Sequence, residues 1–422
     1  MTIRGLVFIG FFGVASVVAL SRPFAGVCAY VFHYHSYPEN SWWGSSLSTY
    51  GVRYSFIISA CLAVGTLRNL KRLPYGRLLT GQEKLYLIFL GWVVLTRLMN
   101  GMQSEEDAVD KMIKVAVFLL CLTHIVVTPQ RWGRFTWLMI CCGIYLGWEC
   151  NTAPQSRFNE GRLEGVGGPD FGDANAMAAH LVALLSFIGV QFLRAGWKGK
   201  LVCLMAGGMV ANSVVLTRSR GGYLATIVAV LVMAILAPQR HRRQVLSLLL
   251  IGALGALVLV DSKFMERMGT IQAGEREKDE SAMSRLRFWK AGFQMAIDHP
   301  LGVGPGNFYG HIGDYLPEDA GRDTHNTYVR CLAELGWPGL GLLLVLMVNA
   351  HRTLARIRLS TVHSPGSVDC DWSAFGLQIG LASYQTAAIF ISAIYIEMFW
   401  WMLLLPAALE RAAANAVAGE TT

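Results

Sequence analysis

Apolar blocks of about twenty residues recur along almost the whole chain, and that is the length a helix needs to cross a hydrocarbon core. Thr2–Leu20, Glu83–Leu98, Met112–Thr128, Ala174–Leu193, Leu201–Thr217 and Cys331–Ala350 are examples. Inside lipid every backbone polar group needs an internal partner, so only helices and closed barrels span. Barrel strands would be shorter and would alternate strictly between apolar and polar residues, which these blocks do not. Only 15% of the residues are charged, against about a quarter in soluble domains, and the mean hydropathy is +0.42. The expectation is an all-α integral membrane protein, a single polytopic domain over residues 1–422 with about twelve transmembrane helices. The first pair of blocks and the last pair, Ser373–Ile391 and Ile394–Leu409, are short or crowded enough for each to form a broken or re-entrant unit.

Basic residues cluster on alternate connections: Arg68, Lys71, Arg72 and Arg77; Arg131 and Arg134; Arg194, Lys198 and Lys200; Arg240, Arg242 and Arg243; Arg352, Arg356 and Arg358. The positive-inside rule puts these five in the cytoplasm and the connections Asn151–Gly172 and Asp261–Arg330 on the outer face. The formal charge of +8 is mostly this collar, which also attracts anionic lipid head groups. A nucleic-acid partner would need a contiguous soluble basic face, and none is expected. Cys28, Cys61, Cys121, Cys141, Cys142, Cys203 and Cys331 lie in or beside apolar blocks without paired spacing and read as core residues. The first block lacks a clear cleavage site and reads as retained.

The exception to this apolar pattern is the stretch 261–330, about seventy polar residues where most helix connections take a handful, which marks it as a functional loop. It ends in Asp323-Thr324-His325-Asn326-Thr327-Tyr328, just before a span. His325 is the foremost catalytic candidate, since an imidazole accepts a proton near neutral pH and hydrogen-bonding neighbours flank it. Capping a helix is the plainer role for such a residue. His299 and His311 lack that polar cluster. No spacing of His and Cys supplies a metal-ligand set, so no metal or other cofactor is expected.

Thr217-Arg218-Ser219-Arg220-Gly221-Gly222 lies between two spans on the outer face. Guanidinium groups beside hydrocarbon either snorkel to the interface or pair with an anion, for which a diphosphate is one candidate. Met283, Leu286, Trp289 or Lys290, Phe293 and Ile297 form an apolar stripe at helical spacing, an interfacial amphipathic helix on which Arg285 and Trp289 are neighbours. Gly302, Gly304 and Gly306 follow no strand and read as a rigid bend, not a dinucleotide loop. Asp369-Cys370-Asp371 mimics the acidic pair of metal-dependent sugar transferases but falls at the cytoplasmic end, as a chance match. Trp42 and Trp43, near Tyr37 and Tyr50, suit an aromatic interface belt, with sugar stacking as the alternative.

Taken together, Thr217-Arg-Ser-Arg-Gly-Gly222, Arg285-Leu-Arg-Phe-Trp289, His299-Pro-Leu-Gly-Val-Gly-Pro-Gly-Asn307 and His325-Asn-Thr-Tyr-Val-Arg-Cys-Leu-Ala-Glu334-Leu-Gly-Trp-Pro338-Gly resemble, in order and spacing, the O-antigen ligase and polymerase superfamily. The resemblance covers roughly Asp170 to Leu340 and includes Asp173-Ala-Asn175. Ser21-Arg-Pro-Phe-Ala-Gly26 resembles the branch of ligases associated with exosortase gene clusters. What the resemblance implies is a transferase of the GT-C type in the bacterial inner membrane. Such an enzyme moves a glycan from undecaprenyl diphosphate to an acceptor hydroxyl at the periplasmic face, inverting and without metal. Arg220, Arg285 and His325 fall on the superfamily's functional positions, with Arg218, Asn326 and Tyr328 as substrate-binding helpers. The acceptor is lipid A core sugar by preference, with a further glycan repeat or a protein as alternatives. From another class, a flippase or exporter for the same lipid also fits charged residues at span ends.

Overall fold

The computed structural model describes residues 3–40, 51–69, 78–101, 108–259, 280–361 and 368–420. The basic residues Lys71, Arg72 and Arg77, the aromatic residues Trp42, Trp43 and Tyr50, and positions 261–279 of the long loop lie outside them. The described chain is all-α apart from one small hairpin. Its helices are α1 (Ile3–Ala19), α2 (Pro23–Ser36), α3 (Tyr54–Arg68), α4 (Gly81–Asn100), α5 (Ala108–Ile125), α6 (Pro129–Asn151), α7 (Ala174–Arg194), α8 (Trp197–Thr217), α9 (Arg220–Leu236), α10 (Arg242–Leu259), α11 (Glu280–Asp298), α12 (Phe308–Tyr315), α13 (Thr327–Thr361), α14 (Val368–Ala387) and α15 (Glu397–Glu420). The hairpin pairs β1 (Phe158–Asn159) with β2 (Arg162–Leu163). By length and composition α7, α8, α10 and Thr327–Ser360 of α13 suffice to cross a membrane, with shorter apolar helices at Gly5–Ala19, α3 and α9.

Helix starts follow local chemistry. Thr80 and Glu83 form a capping box ahead of α4, Thr128 with Pro129 opens α6, and Asp173 and Ser219 cap α7 and α9 through their side chains. Packing then sorts the helices by apolar coverage. α7 is apolar on nearly every face and is buried by α6, α8, α9 and α14, as a helix without a polar stripe must be. α10 is the reverse: only Val245 is buried, while Leu246, Leu250, Leu254 and Leu257 face outward, an apolar surface suited to lipid. Cys121, Cys142, Cys150, Cys203, Cys331 and Cys370 are buried thiols, in keeping with core packing.

One end of the bundle gathers basic residues in clasps. Arg411 forks onto both oxygens of buried Glu83 at 2.7 and 2.6 Å, tying α15 to α4, and Thr123 on α5 donates to the same carboxylate. Arg358 reaches Asp371 at 3.2 Å and the Leu236 carbonyl at 2.9 Å, while Arg194 pairs with Asp369. Both carboxylates of the Asp369-Cys370-Asp371 motif are thus engaged by arginines.

The opposite end is organised by a break in α13. Gly336 adopts φ 67°, and Trp337-Pro338 restarts the helix beyond it. The carbonyls released there are taken up from outside: Ala333 by Val303 N–H at 3.0 Å, Glu334 by Gly304 N–H at 2.9 Å and Leu335 by the Trp92 indole at 2.8 Å. The glycine bend is therefore a backbone brace. A Cβ on Gly302 would lie 2.3 Å from the Glu334 oxygen and one on Gly336 2.2 Å from the Pro300 oxygen, so both must be glycine.

Candidate functional site

The site is assembled on the connection between α14 and α15, residues 388–396, an apolar segment carrying no motif. Thr327 at the start of α13 donates its backbone N–H to Ala388 and its hydroxyl to Ile391, and accepts from Ala393 N–H at 2.8 Å. Ser392 donates to Asp323 at 2.8 Å and lies 3.0 Å from the Thr324 hydroxyl. Phe390 lies against Gly221, where a Cβ would stand 2.8 Å from the phenylalanine Cβ. The segment thus carries the His325 turn on one side and the first turn of α9, which begins at Arg220, on the other. Arg285 joins them through α11: Trp289, one turn further on, donates its indole N–H to the Thr324 carbonyl at 3.0 Å. Arg220, Arg285 and His325, distant in sequence, therefore belong to elements that meet at one place.

His325 sits in the left-handed region with φ 47°, a conformation that a residue other than glycine adopts only when its surroundings enforce it. Its side chain is 43% exposed, and Nδ1 faces Asp323 Oδ2 at 3.9 Å. At that separation the carboxylate stands beside the imidazole without a direct hydrogen bond to it. Asn326 caps α13, its side-chain oxygen accepting from Tyr328 N–H at 2.9 Å and Val329 N–H at 3.1 Å. Tyr328 donates its hydroxyl to the Gln385 carbonyl at 2.8 Å. Both side chains thus make structural contacts, Asn326 as the cap of α13 and Tyr328 as a tie to α14.

Two arginines escaped the sequence reading. Arg330 is buried one turn into α13, with Nε 3.0 Å from Glu334, Nη1 3.5 Å from Asp323, and its guanidinium over the rings of Tyr309 and Tyr395. Glu334 in turn accepts from Phe308 N–H at 3.2 Å and from the Tyr395 hydroxyl. Burial pushes the Tyr309 phenol upward in pKa, and Arg330 beside it pulls the other way. A line of charge thus runs from Glu334 through Arg330 to Asp323 and His325. Arg330→Ala should lower stability by about 3–5 kcal/mol, because it strands two carboxylates around a cavity, whereas Arg330→Lys should lose less. Thermal unfolding of the purified variants measures this, and an unchanged midpoint for Arg330→Ala would contradict the linkage.

Arg162, in the hairpin, donates to Asn175 at 3.0 Å, and Ser219 shares the same Asn175 oxygen at 2.8 Å. Arg218, also left-handed at φ 47°, returns the contact by donating to the Gly161 carbonyl. The two arginines cross-brace the hairpin and the turn that presents Arg220. Asp170 anchors the same loop to the bundle, accepting from Lys111 at 2.7 Å, Tyr34 at 3.0 Å and the backbone N–H of Glu397 at 3.0 Å.

Residues 208–344, which contain Arg220, Arg285, His325 and Arg330, match the family model described as O-antigen ligase. Residues 3–146 match a family of unknown function, DUF5935. No curated protein matches the chain.

Proposed function

The chain belongs to the O-antigen ligase superfamily through residues 208–344, and from that premise we propose that it transfers a glycan from undecaprenyl diphosphate to an acceptor hydroxyl. The observation that carries this reading is the meeting of the Arg220 and His325 elements on the 388–396 segment, with the Arg285 helix joined to the His325 turn through Trp289 and Thr324. In the proposed step the acceptor oxygen forms a bond to the anomeric carbon as the bond from that carbon to the diphosphate oxygen breaks. The departing oxygen keeps the electron pair, and the acceptor proton passes to His325. Attack from the face opposite the leaving group inverts the centre. Arg220 and Arg285 meet the negative charge that develops on the diphosphate, the role fixed donors play best where water is scarce. Diphosphate is a weak base and leaves without an acid catalyst.

The setting that goes with this chemistry is the inner membrane, with about twelve crossings and the site facing the periplasm. The arginine clusters at the far end support that orientation. The exposed stripe of Met283, Leu286, Phe293 and Ile297 on α11, opposite the buried Phe288, Ala291 and Met295, suits a helix lying at the lipid surface beside the long loop. Lipid A core sugar is the favoured acceptor, with polymerisation of the glycan or transfer to protein as the alternatives.

The test is transfer in vitro, with purified protein, carrier-linked glycan and separate candidate acceptors, in the presence and absence of a chelator. Product should form, undecaprenyl diphosphate should be released in equal amount, and chelation should leave the rate unchanged within about twofold, since arginines stand where a metal would. A carrier linkage left intact with every acceptor would favour an exporter instead, and loss of turnover restored by magnesium would remove the arginines from their assigned role.

A further inference from the structure

A second site lies at the basic end of the bundle, away from the transfer site. α1, α2 and α6 enclose an open groove with a volume of about 810 Å³. Its walls are apolar, with Phe11, Val14 and Val18 on α1 facing Phe32 on α2 and Leu138 on α6. Phe11 and Phe32 meet edge to face, with centroids 6.2 Å apart. From Phe11 to the α1–α2 connection the groove runs about 15 Å along the helices, roughly half a hydrocarbon core and thus the depth of one leaflet.

Its mouth is positive. Arg22, Arg131 and Arg134 line it, and none of the described lining residues is acidic. Arg131 and Arg134 stand three apart on one face of α6 near its N-terminus, and α2 also begins here, at Pro23. Two helix N-termini add partial positive charge to three guanidinium groups, which together favour an anion at the mouth. An apolar slot one leaflet deep, capped by three arginines with no acidic residue among the described lining, has the chemistry of a phospholipid with a negative head group.

We propose that this groove binds one anionic glycerophospholipid, its acyl chain between α1 and α2 and its phosphate among Arg22, Arg131 and Arg134. The site is independent of the transfer reaction. Native mass spectrometry of the delipidated full chain in an uncharged detergent tests it, with phosphatidylglycerol, phosphatidylcholine, undecaprenyl phosphate and inorganic phosphate as separate probes. A single phosphatidylglycerol should be retained about thirtyfold more strongly than phosphatidylcholine, the difference expected from Arg22 and Arg134, since Arg131 already donates to the Ile125 carbonyl. Arg22→Gln with Arg134→Gln should erase that preference, Arg22→Lys with Arg134→Lys should keep most of it, and Ala25→Trp, which fills the slot, should weaken retention with every charge in place. Equal retention of the two phospholipids overturns the proposal, as does unchanged phosphatidylglycerol binding by Ala25→Trp. Tighter binding of undecaprenyl phosphate, or binding of inorganic phosphate alone, would assign the groove a different occupant and overturn it as well.

Discussion

His325→Ala should lower glycan transfer by about 10²–10⁴-fold while the donor still binds, because the substitution removes the acceptor's proton sink and leaves the arginines in place. Geometry supports that separation. His325 is held by its backbone, in a turn pinned through Thr324, Asn326 and Thr327, so truncating a half-exposed side chain leaves those hydrogen bonds intact. His325→Gln is the informative partner, since it preserves polarity and size but cannot take the proton. Single-turnover transfer, measured beside equilibrium binding of the donor, distinguishes the outcomes. If His325→Gln works at the wild-type rate, the residue only positions the acceptor. If both variants lose donor binding, His325 belongs to the diphosphate site. Asp323→Asn should have a smaller effect, because it loosens the imidazole's orientation without removing the base.

What could be read from the sequence was whatever lay in short contiguous motifs. His325 stood out because polar residues crowd it immediately before an apolar block, and Arg220 because two arginines at an outer span end need a reason to be there. The glycine bend was legible as a bend, since three glycines around a proline allow little else. Its partner was not: nothing local says that Val303 and Gly304 donate to the carbonyls freed at the break in α13, some thirty residues away. Arg330 lay inside a quoted motif and passed unnoticed, because its meaning depends on burial among Glu334, Asp323, Tyr309 and Tyr395, which only tertiary packing supplies. Arg162 was invisible for the same reason, in a loop with no pattern. The hardest case is 388–396, whose apolar residues read as the adjoining ends of two blocks, Ser373–Ile391 and Ile394–Leu409, although their backbone and Ser392 hold the site together. Hydropathy reports the environment of side chains, and this segment works mainly through its main chain. The α11 stripe shows the converse: two apolar faces share the helix, and periodicity alone could not say that Phe288, Ala291 and Met295 face the protein while Met283, Leu286 and Ile297 remain exposed.

Arg220→Ala and Arg285→Ala should each reduce transfer by about 10²–10³-fold, the usual loss when one fixed donor to a developing negative charge is removed. The stronger prediction concerns the pair. If both guanidinium groups grip one diphosphate, the double variant should fall well short of the product of the single losses, because a diphosphate that has lost one clamp no longer sits where the other can act. If they serve different groups, one the diphosphate and the other the sugar or acceptor, the losses should multiply. Lysine replacements sharpen the distinction. Arg220→Lys keeps the charge at the head of α9 but loses the two-toothed fork, so partial activity would mean that charge dominates, and activity as low as that of Arg220→Ala would mean that the fork does. The structural background makes Arg220 the cleaner of the two. Ser219 caps its helix independently, and Gly221 and Gly222 pack through their backbones against Phe390 and Ala178, so groups other than the Arg220 side chain help to hold the turn that carries it. Wild-type kinetics in both arginine variants, with His325 still essential, would move the diphosphate away from these positions and leave the proton transfer standing alone.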